Sequence, residues 1–311
     1  MSAVTWEASA ALESLEDVAR RELGETPTVK QTALEDLRKL ISGEPSLCCP
    51  ADDAFLVKFL RARKYDAHSA FTNIKNYFRV RTDHPELFKG LTPSSILFDV
   101  VCRKNRLLTV SQHKDPLGRA VGLLKIGAWN TGICTLNDFL RLGLAGIEYF
   151  LLREDFQIKG VVAILDLKGL NVYHMAHFSP SVIRMLLGLI QDCLPLRLKG
   201  LYVINNPPIF DFFFAIAKTF LKAELIKRIR LFGHNIEELR HLVPDDVIPE
   251  ELGGKNESYD YDALEKELES AECFYQALGS YGYREALTEM APEPNSMDTD
   301  EELSSENYVH L

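Results

Sequence analysis

The chain has 311 residues, of which 46% are hydrophobic and 26% charged, and its formal net charge at pH 7 is −10. This is a globular composition, which excludes a chain that is disordered throughout and allows a sizeable core in one or two domains. The overall acidity argues against nucleic acid as a partner, and no apolar run reaches the roughly 18 residues that a transmembrane helix needs.

Residues 1–90 are predicted to form an all-helical N-terminal bundle. They open without the basic segment and apolar run of a signal peptide. Two short helical patterns come first, over residues 10–23 and 28–41. Pro50 and the aspartates that follow it signal the start of a third helix, and a fourth follows the stretch KYDAHS. The inner faces of the third and fourth helices are Phe55, Leu56, Phe59 and Leu60, then Phe71, Ile74, Tyr77 and Phe78.

Residues 91–256 are predicted to form an α/β domain. The runs LLTVSQH, RAVGLLKIG, GVVAILDLKGL and LKGLYVINN are short and rich in Val, Ile and Leu, as strands are. Between them, Thr135 with Asp138 three residues on predicts the start of one helix, and Ser179 with Pro180 in the first turn predicts another. Strands that are apolar throughout and alternate with helices predict a mostly parallel sheet covered by helices.

The segment PPIFDFFFAIAKTFLK, residues 207–222, holds five phenylalanines among its sixteen residues. On a helix its apolar side chains spread over an arc of about 200°, roughly twice the width with which a surface helix covers a core. Two interpretations follow: a helix wedged between other elements, or a lid with one face over an apolar cavity and the other on the protein or on a bilayer. The lid residues would be Ile209, Phe210, Phe212, Phe213, Phe214, Ile216, Phe220 and Leu221. Two more helices are predicted after this segment, the second opened by Asn235.

A basic surface is predicted beside this segment. In LPLRLKGL, Leu194, Leu196 and Leu198 alternate with Arg197 and Lys199, so an extended chain sends the leucines inward and both cations outward. From residue 184 to 230 there are eight basic residues against three acids, although the chain is acidic overall. Cations beside exposed aromatic surface suit an anionic membrane, and a solvated basic face without a partner is the alternative. The cations that continue this surface are Lys222, Lys227, Arg228 and Arg230.

The C-terminal part divides into a predicted helix over residues 257–284 and an acidic tail over residues 285–311. The tail holds eight acids and no Lys or Arg, and so few large apolar residues that we predict disorder. Its last residues, YVHL, are a candidate ligand for a partner domain, and a solvated tail without a partner is the alternative.

No catalytic or cofactor signature is present in the sequence. The usual Gly-rich nucleotide motifs and the G-x-S-x-G hydrolase motif are missing, and the six cysteines show neither metal-ligand spacing nor a disulfide framework. His174 and His177 lie near Asp166 in sequence, but no third ligand or nucleophile accompanies them. We therefore predict a protein that is not an enzyme, without metal or cofactor, in the reducing cytoplasm.

Several long motifs occur together in this chain: DDAFLVKFLRARKYDAHSAF, GVVAILDLKGL, LPLRLKGLYVINNPPIFDFFFAIAKTFLKAELIKRIRLFGHN and VPDDVIPEELGG. Together they resemble the CRAL-TRIO family of lipid-binding proteins over about residues 51–254, and in particular its branch for tocopherol and retinaldehyde. The resemblance implies a cavity between sheet and helices that holds one hydrophobic molecule and is closed by a mobile helix, here about 209–221.

The resemblance also implies which residues form the binding sites. The family's phosphoinositide contacts fall on Arg197, Lys199 and Arg228, whereas Glu224 replaces one further basic residue, for which Lys222 or Lys227 would compensate. The wall is more aliphatic than in the branch, because Gly143 and Ile147 replace small hydroxyl side chains, and Leu170 and Leu194 replace aromatic ones. The implied wall residues are Leu140, Gly143, Leu144, Ile147, Val161, Leu165, Leu186, Leu189, Ile190, Leu194, Leu196, Leu198 and Leu201.

These observations predict a cytoplasmic carrier of a tocopherol-like, retinoid or other lipid. It would associate peripherally with endosomal or other anionic membranes through phosphoinositides and release its ligand when the lid opens. One alternative is a phosphoinositide-binding trafficking adaptor whose acidic tail recruits partners. Another is a lipid enzyme acting through His174 and His177.

Overall fold

Five helices and one short strand form the N-terminal part of the structure, a computed structural model that describes residues 13–256 and 260–284. The four predicted helices are confirmed. The first begins at Leu15 because the Ser14 hydroxyl accepts a hydrogen bond from the Asp17 amide. The Asp52 carboxylate caps the third in the same way. The elements are α1 (Leu15–Leu23), α2 (Pro27–Ser42), β1 (Leu47–Cys48), α3 (Asp53–Ala62), α4 (Ala67–Asp83) and α5 (Pro85–Phe88).

A cluster of aromatic rings joins α3 to α4. The ring centroids of Phe55 and Phe59 lie 5.2 Å apart, and Tyr77 meets Phe59 edge-on at 5.2 Å. All three rings are buried, together with Phe78. The apolar spacing in the sequence therefore identified this core, although Phe71 is only partly buried at its margin.

The central sheet has five strands in the order β2-β3-β4-β5-β6, and all pairs are parallel except the antiparallel β2–β3 pair. The predicted α/β fold with a mostly parallel sheet is confirmed. The sequence predicted four of these strands and missed β6, because this edge strand is short and carries an exposed arginine and leucine in a basic, helix-like context. The strands are β2 (Leu108–Val110), β3 (Ala120–Lys125), β4 (Val161–Asp166), β5 (Leu198–Ile204) and β6 (Ile229–Gly233).

Helices cover the sheet, and their starts follow the predicted caps. The Thr135 hydroxyl accepts from the Asp138 amide, while the Asp138 carboxylate accepts from Thr135. Ser179 and Asn235 cap two further helices as predicted. The helices are α6 (Leu136–Phe150), α7 (Glu154–Lys159), α8 (Val172–His177), α9 (Pro180–Gly188), α10 (Phe210–Lys218), α11 (Ala223–Ile226) and α12 (Ile236–Arg240), and α9 continues into a π-helical turn, Leu189–Cys193.

The segment predicted as one C-terminal helix consists of two helices, α13 (Tyr261–Ser270) and α14 (Glu272–Leu278), and a short strand, β7 (Gly282–Tyr283). The strand β7 pairs antiparallel with β1, so the end of the described chain returns to the N-terminal part, which is therefore not purely helical. The Tyr275 hydroxyl donates to the Ala145 carbonyl and joins α14 to α6. The predicted acidic tail, residues 285–311, lies outside the described residues.

A buried charge cluster fastens α3 and α4 to α6. Glu148 on α6 is fully buried and accepts hydrogen bonds from the Tyr77 hydroxyl at 2.9 Å and from the Arg81 guanidinium. The Lys58 ammonium, only 2% exposed, lies 4.0 Å from the same carboxylate and 4.3 Å from the Phe55 ring centroid. Burial lowers the pKa of Lys58 to about 8 despite that carboxylate.

We expect Glu148→Gln to lower the free energy of unfolding by about 3 kcal/mol, because it leaves Lys58 and Arg81 buried without their counter-charge. Glu267→Gln is the matched control, since this carboxylate is exposed and only accepts a hydrogen bond from the Tyr149 hydroxyl. Urea denaturation of both variants measures the difference. Similar stability of the two variants would contradict a structural role for the buried cluster.

Candidate functional site

A cavity of about 420 Å³ lies between one face of the central sheet and the helices α6, α9 and α10. The sheet lines it with every second residue, such as Gly122 and Leu124 on β3 and Ala163 and Leu165 on β4, because side chains alternate between the faces of a sheet. Residues at the other positions, such as Val162 and Ile164, pack on the opposite face of the sheet.

The wall of this cavity is apolar among the described residues. Its lining includes one polar residue, Thr109, but pairing places Thr109 opposite Leu123, whose side chain packs on the other face of the sheet. No polar atom is exposed to the cavity in the described part of the wall. A guest hydroxyl buried here would lack a partner, which costs about 1–3 kcal/mol.

All but three of the predicted wall residues line the cavity. The exceptions are Leu144, Leu189 and Leu194, which pack into the core shared with the N-terminal helices. Those that line the cavity are Leu140, Gly143, Ile147, Val161, Leu165, Leu186, Ile190, Leu196, Leu198 and Leu201.

Helix rotation and an interrupted alternation account for two of these exceptions, Leu144 and Leu194. Leu144 is one residue, or about 100°, around α6 from the lining residue Gly143, and therefore points to the bundle. Leu194 follows the π-helical turn and precedes β5, so the strand alternation does not reach it. A register shift between Val161 and Val162 places Leu201 with Leu198 on the cavity face.

Several lining residues were missed by the sequence-based prediction. The period of two could have identified Leu124 and Ala163 once Leu165 was placed on the cavity face. Phe150 lies on the same face of α6 as Gly143 and Ile147, so helical periodicity could have identified it. No local signal could have identified Phe156, because helix packing alone brings it to this wall. Leu170, which replaces an aromatic residue of the family branch that the sequence resembles, lines the cavity.

The helix α10 covers the cavity with part of the phenylalanine segment. Phe212 points the other way and is 54% exposed. The remaining predicted lid residues, Ile209, Ile216 and Phe220, pack beside the cavity in the same cluster without lining it. The segment therefore has two apolar faces, as its wide arc predicts. The residues of this segment that line the cavity are Phe210, Phe213, Phe214, Ala217 and Leu221.

Apolar burial and few polar contacts hold α10 in place. Within the described residues, its side chains make no ion pair or hydrogen bond to another element, and it begins at Phe210 without a side-chain cap. Polar contacts occur only just beyond its end. The Gln191 amide nitrogen donates to the Phe220 carbonyl at 3.1 Å, and its oxygen accepts from the Lys222 amide at 2.7 Å.

A basic cleft of about 720 Å³ lies on the far side of Ile190, Leu196 and Leu198, which line both it and the apolar cavity. Four of the predicted phosphoinositide residues line this cleft, whereas Lys227 does not. Arg63 and Lys64 line it as well, and the sequence could not associate them with β5 because about 130 positions separate them. The predicted residues in the cleft are Arg197, Lys199, Lys222 and Arg228.

A carboxylate from α1 forms ion pairs with two cations of the basic cleft. Glu22 accepts from the Arg197 guanidinium at 2.7 Å and from the Lys199 ammonium at 2.5 Å. Burial raises the pKa of Glu22, but hydrogen bonds from Lys199 and Arg197 outweigh it and hold this pKa below its ordinary value. Burial lowers the pKa of Lys199, since the charged form is desolvated.

The other predicted basic residues have partners of their own. Arg228 donates to the Leu198 carbonyl at 2.5 Å, and Lys222 pairs with Asp192. Lys227 pairs with Glu224 at 2.8 Å on the surface, where such ion pairs contribute little to stability.

His174 and His177 form no acid–base pair within the described residues. His174 is buried, its Nδ1 accepts from the Asn171 amide, and its Nε2 lies 3.1 Å from the Trp129 carbonyl oxygen. The His177 ring packs against Trp129. Residues 13–256 and 260–284 contain no helix that could span a membrane and no cluster of ligands that could hold a metal ion.

Comparison with known proteins identifies similar sequences and a similar fold. Residues 104–254 match the CRAL/TRIO domain, and residues 29–76 match the CRAL/TRIO N-terminal domain. The alpha-tocopherol transfer protein-like protein of Homo sapiens is 35% identical over 243 residues, which are 78% of this chain and 70% of that protein. Clavesin-1 of Xenopus laevis is 31% identical over 246 residues, 78% of this chain and 73% of that protein.

The fold is also similar to that of the crystal structure of Sfh5. The TM-score is 0.55 at 16% sequence identity, and the alignment covers 77% of this chain and 91% of that one.

We expect Gly146→Leu to fill the cavity and lower binding of a fluorescent isoprenoid lipid at least tenfold. Gly146 lines the cavity, and a Cβ atom there meets no atom within 4 Å. The loss of a helical glycine should raise the free energy of unfolding by about 1 kcal/mol, so lost binding would not reflect misfolding.

Gly188→Leu is the matched control, because Gly188 also has open space around its Cβ but does not line the cavity. Probe titration and mass spectrometry of lipid extracted from each purified variant measure the effect. Equal lipid content in both variants would contradict the assignment of the cavity as the binding site.

Proposed function

The chain belongs to the CRAL/TRIO family of lipid-binding and lipid-transfer proteins, and we propose that it carries one largely apolar lipid molecule to and from anionic membranes. The observation that carries this proposal is the cavity beneath α10, which exposes no polar atom in the described wall. Burial of a guest methylene group contributes about 0.8 kcal/mol, so a long hydrocarbon chain has sufficient driving force to bind.

The wall favours a guest whose buried part is hydrocarbon. The human relative is named for its likeness to a tocopherol transfer protein, and a tocopherol-like or retinoid lipid is the class we propose. A guest hydroxyl would be most costly deep in this wall, because no partner is present there. The polar end of the guest would therefore lie near the basic cleft, which shares Ile190, Leu196 and Leu198 with the cavity.

Membrane docking would use the basic cleft and the exposed face of α10. The cleft supplies cations that can bind the phosphates of a phosphoinositide headgroup. Each cation near an anionic surface contributes about 1 kcal/mol to membrane binding. Phe212, exposed on α10, supplies an apolar side chain for insertion among the lipids. Endosomal or other anionic membranes would be its targets.

Lid opening would follow from docking because α10 is held mainly by apolar contacts, which a bilayer can replace. Gln191 lines the basic cleft and also bonds to the backbone of Phe220 and Lys222, just beyond α10. A headgroup that draws Lys222 away from Asp192 would therefore act on the end of the lid.

We expect Arg197→Ala combined with Lys199→Ala to slow lipid transfer between phosphoinositide-containing vesicles about tenfold, while equilibrium affinity for the lipid stays nearly unchanged. The two cations line the cleft and not the cavity. A fluorescence transfer assay and probe titration measure the two quantities. Arg20→Ala combined with Lys266→Ala, two exposed cations outside the cleft, is the matched control. Equal loss of transfer and affinity would count against docking through this cleft.

We expect Glu22→Gln to tighten binding to the same vesicles several-fold, because the carboxylate of Glu22 occupies Arg197 and Lys199, where a phosphate would bind. Vesicle sedimentation measures this effect. Glu16→Gln is the matched control, since Glu16 is exposed on the same helix and does not line the cleft. Weaker binding by Glu22→Gln than by Glu16→Gln would mean that Glu22 holds the cations in position instead of competing with the headgroup.

A further inference from the structure

The sheet edge at which the parallel strands begin carries cations that do not line the basic cleft. Arg119 precedes β3, Arg228 precedes β6, and Arg230 lies on β6. Parallel strands begin at the same edge of a sheet, so residues that are distant in sequence meet there. Arg119 and Arg230 are not part of the basic cleft or of the apolar cavity.

A second cleft of about 260 Å³ lies at this edge, and it opens on the face of the sheet opposite to the lipid cavity. Arg230 pairs in register with Tyr202, whose ring packs on that opposite face, whereas the neighbours Leu201 and Ile229 line the cavity. Five cations and no acid line the second cleft within the described residues. These cations are Arg119, Lys199, Lys227, Arg228 and Arg230.

The cations of this second cleft are only partly neutralised. Arg119 pairs with Asp115 at 2.5 Å, Lys199 with Glu22, and Lys227 with Glu224. Arg228 donates to a backbone carbonyl. The Arg230 side chain is exposed and makes no ion pair or hydrogen bond in the part of the chain that the structure describes. The cleft therefore keeps positive charge that is available to an anion.

We propose that this second cleft binds a phosphate group, separate from the one that the basic cleft would hold. Guanidinium groups suit phosphate because they can donate two parallel hydrogen bonds to its oxygens. Lys199 and Arg228 line both clefts, so the two phosphates would lie on either side of these side chains. The inference rests on the proposed docking function and extends it to a second anionic group.

The surroundings of the second cleft favour a lipid headgroup as the source of that phosphate. Leu117 lines the cleft and is 59% exposed, and the half-buried Leu242 lines it as well. Apolar side chains beside cations are typical of a surface that meets a bilayer. A soluble phosphate ester has the same charge but gains nothing from these leucines.

The test compares Arg230→Gln with Lys266→Gln, which removes an equally exposed cation on α13 that also lacks an ion pair among the described residues. One arm measures sedimentation with phosphatidylcholine vesicles that contain phosphatidylinositol bisphosphate. The other measures calorimetric titration with soluble inositol trisphosphate. We expect Arg230→Gln to weaken vesicle binding about fivefold and Lys266→Gln to leave it unchanged, with wild-type melting temperatures for both.

The outcomes separate the second cleft from the first and the lipid from the soluble ligand. Weaker binding in the vesicle arm, alone or together with the soluble arm, assigns the phosphate to a lipid, because inositol trisphosphate carries the phosphates of the headgroup. Weaker binding in the soluble arm alone assigns it to a free phosphate ester and overturns the lipid. Equal behaviour of the two variants in both arms overturns the second site. If Arg197→Ala combined with Lys222→Ala, two cations that line only the basic cleft, leaves vesicle binding normal, docking through the basic cleft fails independently of Arg230.

Discussion

The structure depends on one sheet face that the protein does not fill with its own side chains. The side of the sheet that carries Val162 and Ile164 is packed against the segment around Val243 and Ile248, whereas the side that carries Ala163 and Leu165 faces the cavity. Side chains that line a void lack dispersion partners, so a guest restores contacts that an ordinary core has from the start. Because the described wall exposes no polar atom, water cannot replace those contacts well.

The lid opening that we propose needs a fixed frame around the cavity as well as one movable wall. α6 presents Gly143 and Ile147 to the cavity, and it presents Leu144 and Glu148 to the N-terminal helices. The buried contacts of Glu148 with Lys58 and Arg81 would be lost if α6 moved away, so this helix belongs to the fixed frame. α10 has no comparable polar attachment among the described residues, which supports our proposal that it is the wall that moves.

The surface charges concentrate at the edge where the parallel strands begin. Arg197 and Lys199 are separated from the cavity only by the neighbouring leucines. Both cations form ion pairs with Glu22 on α1. The same cations bind the N-terminal helix and would bind the phosphate that we propose, and Gln191 in the same cleft bonds to the end of the lid segment. This arrangement would couple the membrane docking that we propose to the cavity by short polar and apolar contacts, without a long chain of intermediates.

The sequence by itself determined the local structure and the chemical character of the site. Capping residues such as Thr135, Ser179 and Asn235 defined helix starts, because each satisfies amide groups of its own first turn. Apolar runs identified four strands, and the two apolar faces of the phenylalanine segment were readable from helical periodicity. These features depend on interactions between residues close in the chain.

Only the tertiary structure decided which apolar residues face a void and which face a core. Gly143 and Leu144 are neighbours in the chain, yet helix packing places the first at the cavity and the second in the core shared with the N-terminal helices. The edge strand β6, the contact of Glu22 with Arg197 and the return of β7 to β1 join segments far apart in sequence. No local pattern encodes such pairs, because their partners are set by the packing of whole elements against one another.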